Sequence, residues 1–167
     1  MIYEIGPTNS INEIISKMND NDTLILNDGI YNEKVFILKS NILIKAKHEH
    51  KAIIQNDDYY HKIMQDENEC NTFRTYTMFI GGDDVTIEGL YIKNTSTPSK
   101  IFGQAVSLHV SGNHFLCKNT IIESAQDTLF TGPLPNDLIE RYSGFHNNEI
   151  LKKCIWHFIF LLLCDII

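Results

Sequence analysis

One pattern constrains this chain more than any other: a short strand, a polar corner residue, then a second short strand, repeated along the sequence. Val85-Thr86-Ile87-Glu88-Gly89-Leu90-Tyr91-Ile92-Lys93-Asn94-Thr95 loosely resembles Phe115-Leu116-Cys117-Lys118-Asn119-Thr120-Ile121-Ile122-Glu123-Ser124. Asn41-Ile42-Leu43-Ile44-Lys45-Ala46 is a weaker copy. A unit of this kind cannot bury its apolar face alone, so copies must stack. The fold expected is all-β: a right-handed parallel β-helix with Asn and Gly at its corners. The structural alternative, a β-sandwich, calls for Asn-Gly or Asp-Gly hairpin turns. Asp28-Gly29 is the only such dipeptide in the chain.

The flanking segments agree with a solenoid. Ser10 followed by Ile11, Ile14, Ile15 and Met18 gives a capping residue and then helical apolar spacing. A helix from about Ser10 to Met18 is expected to close the first coil, protecting an open edge. Thr23–Leu26, Lys34–Leu38, Asn41–Lys45 and Ala52–Gln55 read as short strands. Asp57 to Thr75 is polar and reads as a long projecting loop. Strands return at Thr77–Ile80, Val85–Glu88 and Leu90–Lys93.

The stretch Gly103 to Phe130 gathers the groups able to do chemistry. Ala105–Val110 and Phe115–Ile122 read as strands around a turn at Ser111-Gly112-Asn113. Alternation directs Val106, Leu108 and Val110 one way and Ser107 and His109 the other. If the strands stack, Gln104, Gln126 and Asp127 converge on one face. From spacing alone Asp127 reads as a turn-forming residue at a strand end, and the two amides as a ladder between coils.

Gln104-Ala105-Val106-Ser107-Leu108 and Gln126-Asp127-Thr128-Leu129, followed by Phe130-Thr131-Gly132-Pro133-Leu134-Pro135, resemble the motifs of pectin methylesterases. The resemblance runs from about Thr8 to Gly144. It implies the same β-helix, with hydrolysis of pectin methyl esters to free carboxylate and methanol in an outer groove, and without metal or organic cofactor. It implies that Asp127 is the general acid and that Gln104 and Gln126 stabilise the oxyanion. Tyr76 and Thr77 fall where the family has a loop near the groove and would contact the sugar chain. The family's nucleophile lies in Asp-Phe-Ile-Phe-Gly. Here the corresponding string is His157-Phe158-Ile159-Phe160-Leu161, and the family's later Gly-Arg-Pro-Trp is absent. The chain is therefore expected to comprise a pectinesterase-like region over 1–144 and a divergent apolar tail over 145–167. Truncation or a frame disruption is expected, with weak or no activity. The alternative is a non-catalytic carbohydrate-binding β-helix remnant.

Composition narrows the partners. A net charge of −7 argues against a nucleic-acid binder relying on a basic face and does not exclude esterified pectin, which is closer to neutral. The resemblance implies pectin, the homogalacturonan polysaccharide, as the partner, and a monomer is expected. The four cysteines include no Cys-x-x-Cys pair, and His48-Glu49-His50 between two lysines reads as a solvated turn, so no metal site is expected. A pectate lyase would need an ordered carboxylate cluster for calcium. Asp57, Asp58, Asp66, Glu67 and Glu69 have no such spacing. The N-terminus has no basic start or apolar run, so the sequence as written reads as cytoplasmic, although the family is often secreted. Ile155–Leu163 is apolar but falls far short of the roughly 20 residues that span a bilayer, and no membrane span is expected.

Overall fold

The computed structural model describes residues 1–65, 67–132 and 161–167. Its strands are β1 (Ile2–Ile5), β2 (Thr23–Leu26), β3 (Gly29–Asn32), β4 (Val35–Ile37), β5 (Leu43–Ala46), β6 (Ala52–Asn56) and β7 (Met78–Ile80). They continue as β8 (Thr86–Glu88), β9 (Tyr91–Asn94), β10 (Leu108–Val110), β11 (Leu116–Glu123), β12 (Leu129–Thr131) and β13 (Leu161–Ile166). Two helices, α1 (Ile11–Lys17) and α2 (Ser99–Phe102), and a 3₁₀ turn at Thr72–Arg74 complete the described elements.

Every pairing between these strands is parallel, as a solenoid requires. Three faces result. The first stacks β1, β2, β5, β8, the start of β11 and β13. The second stacks β3, β6, β9 and the end of β11. The third stacks β4, β7, β10 and β12. The sequence repeat is the register itself: Thr86, Ile87 and Glu88 lie against Leu116, Cys117 and Lys118, and Tyr91, Ile92 and Lys93 against Ile121, Ile122 and Glu123. The weaker copy also keeps step, with Ile44 against Ile87.

Inward residues form columns. Leu24, Ile44, Ile87 and Cys117 line one, and Tyr31, Ile54, Ile92 and Ile122 another, all buried. Val35, Met78 and Leu108 form a third. Each such side chain contributes about 1.5–3 kcal/mol of burial. The column of like-shaped residues also fixes each coil above the last.

The predicted helix closes the first coil, with Ile11, Ile15 and Met18 packed into the core. Ser10 caps it by accepting from the Glu13 amide at 3.1 Å. Glu33, on the first coil, accepts from the Ile11 and Asn12 amides at 2.7 and 3.1 Å. A carboxylate from the body thus satisfies orphan amides that the helix cannot pair itself.

One expectation changes. The segment after Asp57 does not simply project. Asp58, Cys70 and Arg74 are buried, and Lys34 of the first coil bonds the Asp58 carboxylate at 2.7 Å. Burial pushes the Asp58 carboxyl up, but the charges and bonds of Lys34 and Lys62 outweigh it, so its pKa falls below the ordinary value. In the tail, Leu161–Ile166 extends the first and second faces as a parallel strand on β11, while 155–160 lie outside the described residues.

The turn at Gly112 stacks on the turn at Gly82, and Gly82 on Lys39. A Cβ at Gly112 would overlap the Gly82 carbonyl oxygen, a backbone atom that cannot swing aside. Gly112→Ala is therefore expected to destabilise the fold by roughly 1–3 kcal/mol through overpacking. Urea unfolding of the two proteins checks this, and an unchanged midpoint contradicts the close approach.

Candidate functional site

The third face carries the site on its outer side. Phe36, Phe79, His109 and Phe130 occupy equivalent positions on β4, β7, β10 and β12. Tyr76 and Val106 pack with Phe79 in a small cluster outside the main core. His109 is enclosed there, 4.9 Å from the Phe79 ring and 4.8 Å from Phe130. Burial pushes its pKa down to about 3, against a smaller opposing effect of the Phe73 backbone. Its Nε2 lies 3.1 Å from the Ser111 hydroxyl.

The expected alternation fails at one point, and the failure shapes the site. Leu108 and Val110 face the main core, but Val106 joins the outer aromatic cluster. The chain bends between them. Thr77 and Met78 both donate to the Ser107 carbonyl, and Ser107 and Leu108 both donate to Thr128. At this corner the Ser107 and Thr77 hydroxyls point inward and donate to the Ile92 and Lys93 carbonyls, each at 3.0 Å. Thr77 is fully buried and Tyr76 is 3% exposed. These two residues, expected against the sugar chain, are instead a corner hydroxyl and a ring beneath Lys34, whose Nζ lies 4.6 Å from its centroid. Burial also pushes the Tyr76 phenol well above its ordinary pKa.

An open cleft of about 680 Å³ lies beside this cluster. Tyr60, Phe73, Leu129 and Phe130 supply its apolar walls. Asn71, Thr72, Gln104 and Asp127 supply its polar groups. Gln104 and Asp127 meet because the Ala105 amide donates to the Gln126 carbonyl at 3.3 Å in an isolated antiparallel bridge. One residue outward on each strand, Gln104 comes opposite Asp127. The Ser124 hydroxyl braces the same turn by donating to the Ala105 carbonyl. Asp127 takes a left-handed backbone, φ 58°, which Asp tolerates better than most residues.

Thr72 donates its hydroxyl to Gln104 Oε1, which orients the amide and leaves its Nε2 to donate. Gln126 is exposed and lies outside the cleft lining, so two of the three expected residues share the cleft and the third, next in sequence to Asp127, does not. Thr72, in the polar segment after Asp57, is the partner that spacing could not assign, because it lies a full coil away from Gln104. Among the described residues that line the cleft, Asp127 is the only carboxylate. His157, at the family's nucleophile position, and Cys154 before it lie outside the described residues. No three His, Cys, Asp or Glu side chains among the described residues converge as metal ligands.

The geometry defines a parallel β-helix with an outward cleft holding an oriented amide beside a carboxylate. A family model described as Pectinesterase matches residues 4–134, and the chain belongs to the pectinesterase family. Pectinesterase A of Dickeya chrysanthemi is 28% identical over 121 residues, covering 64% of this chain and 33% of that protein. Probable pectinesterase/pectinesterase inhibitor 58 of Arabidopsis thaliana is 32% identical over 133 residues, covering 75% of this chain and 22% of that protein. Pectin methylesterase PemA from Erwinia chrysanthemi superposes with a TM-score of 0.69 at 22% identity, over 77% of this chain and 45% of that one. A pectin methylesterase solved with a hexasaccharide gives 0.67 at 23% identity, over 73% and 41%. The right-handed parallel β-helix is the fold these structures share with the chain. The chain spans a third or less of the length of these curated relatives.

The enclosure of His109 makes a prediction. An unfolded His titrates near 6.5, roughly, whereas here the pKa is about 3. Between those values the unfolded chain binds a proton that the folded chain excludes, so stability is full above the unfolded pKa and falls as pH drops toward the folded one. His109→Phe removes this term. Its loss of stability between pH 7 and pH 5 should be smaller than the parent's by about 2 kcal/mol. Urea midpoints at the two pH values check it, and parallel pH dependences contradict the burial.

Proposed function

We propose that this β-helix serves the hydrolysis of pectin methyl esters, giving the free carboxylate of homogalacturonan and methanol. The observation that supports the reading is the placement of Gln104 and Asp127 side by side in a cleft with aromatic walls. In this reading the ester carbonyl oxygen accepts from Gln104 Nε2. Gln126 swings in as the second donor. Fixed donors favour the oxyanion over the neutral carbonyl, and losing one costs roughly 3–4 kcal/mol in such sites. For turnover a nucleophile must first add to the ester carbonyl. As the tetrahedral intermediate collapses, the bond to the methoxy oxygen breaks and Asp127 would protonate it to methanol, and the water that then cleaves the acyl intermediate would return a proton to Asp127.

The nucleophilic step needs a second carboxylate. The described lining residues offer none besides Asp127, and the family's position for it reads His157 in this sequence. We therefore expect the chain to bind and polarise the ester with little or no turnover. Hydrolases stripped of their nucleophile but retaining the oxyanion site keep roughly 10³–10⁴ over water. That value is an upper limit here. The same observation favours a second reading, a carbohydrate-binding β-helix without catalysis.

The measurements are methanol release from esterified pectin and equilibrium binding of a methyl-esterified oligogalacturonide, each compared with Asp127→Ala. Binding with methanol release close to background is expected, and Asp127→Ala should release no less. Turnover abolished by Asp127→Ala would overturn the expectation of inactivity while supporting the esterase reading. Absence of both binding and turnover contradicts the pectin reading altogether.

A further inference from the structure

We propose that Tyr60 is the sugar-stacking platform of the cleft, holding the pyranose ring whose ester faces Gln104 and Asp127. The inference rests on the pectin reading above and assigns a residue that neither the repeat nor the motifs mark. Tyr60 lies in the polar segment after β6, yet it lines the same cleft as Gln104 and Asp127. Its side chain is 38% exposed, unusual for an aromatic residue in so fixed a setting.

The setting is fixed in three ways. The Tyr60 amide donates to the Gln104 carbonyl at 2.9 Å, so the backbone of the platform is tied to the residue whose amide it would serve. The ring is backed by His61, whose centroid is 3.8 Å away, and the Glu69 carboxylate holds the His61 ring at 2.6 Å. The segment itself closes as a small hairpin. Ile63 bridges Glu69, the Cys70 amide donates to Lys62 at 2.8 Å, and Lys62 Nζ holds Asp57 and Asp58 at 2.7 and 3.0 Å. A platform this constrained loses little entropy when a ligand arrives.

The chemistry of the cleft favours a ring contact over ion pairing. Across from Tyr60, Phe73 and Phe130 meet edge to face at 5.4 Å. Among the described residues that line the cleft there is no Lys, Arg or His to pair with a uronate carboxylate. A methyl-esterified galacturonate is uncharged. Its ring presents C–H groups to the negative face of an aromatic side chain, and its ester presents a carbonyl to the amide. Apolar walls with a few placed polar groups are the usual make-up of a site for such a ligand.

The test is titration of the protein with a methyl-esterified trigalacturonide, for the parent, Tyr60→Leu and Tyr60→Phe. Tyr60→Leu keeps an apolar side chain and removes the π face, and should weaken binding about five- to tenfold. Tyr60→Phe should bind within about twofold of the parent. A tyrosine difference spectrum on adding the sugar should appear in the parent and shrink in Tyr60→Phe, a readout that does not depend on the leucine variant folding. Equal affinity of Tyr60→Leu and parent, or a difference spectrum unchanged in Tyr60→Phe, overturns the inference and leaves the pectin reading standing. A parent protein that does not bind the trisaccharide overturns both.

Discussion

The parallel backbone ladder between successive coils sets the position of every other group in this molecule. Each strand satisfies its amides and carbonyls on the coils before and after it, so a displaced coil would orphan a row of buried polar groups. The inward columns prevent displacement along the strand. Ile44 above Leu24 and Ile87 above Ile44 leave no alternative step, because a slip of one residue would turn Lys45 and Glu88 into the core. Turns stacked at backbone contact, such as Gly82 under Gly112, prevent displacement at the corners.

The cleft inherits this rigidity. Gln104 and Asp127 belong to different coils, and a short antiparallel bridge at Ala105 and Gln126 places them opposite one another. The buried aromatic cluster below, with His109 enclosed by Phe79, Phe130 and Tyr76, forms a dry support. Lys34 and Asp58 draw the segment after β6 back onto the body, which brings Thr72 to the Gln104 amide and Tyr60 to the cleft wall. The cleft lining thus comes from two successive coils and one returning loop.

Much of this was legible in the sequence where the cause is local or repeats. Ser10 and the spacing of Ile11, Ile15 and Met18 specify the capping helix because capping and amphipathicity are local properties. The alignment of Val85–Asn94 with Phe115–Ser124 gives the register residue for residue, because equivalent positions of successive coils occupy the same column. What was not legible depends on distant partners. Val106 breaks the alternation because the chain turns a corner whose hydrogen bonds come from neighbouring coils. Tyr76 and Thr77 are buried because Lys34 and the Lys93 carbonyl receive them. Asp58 reads as one charge among many in a polar stretch, and it is the bonds from Lys34, before β4, and from Lys62 that make it a buried anchor.

The central claim is that an uncharged, esterified sugar is received on the outer side of the third face, beside Gln104 and Asp127. Backbone amide NMR mapping with a methyl-esterified oligogalacturonide, and separately with its de-esterified counterpart, tests it most directly. The account predicts shifts concentrated at Tyr60, Thr72, Gln104 and Asp127 for the ester, and weaker ones for the free acid. Shifts confined to the surface around Lys34 and Lys62, or stronger for the free acid, would contradict it.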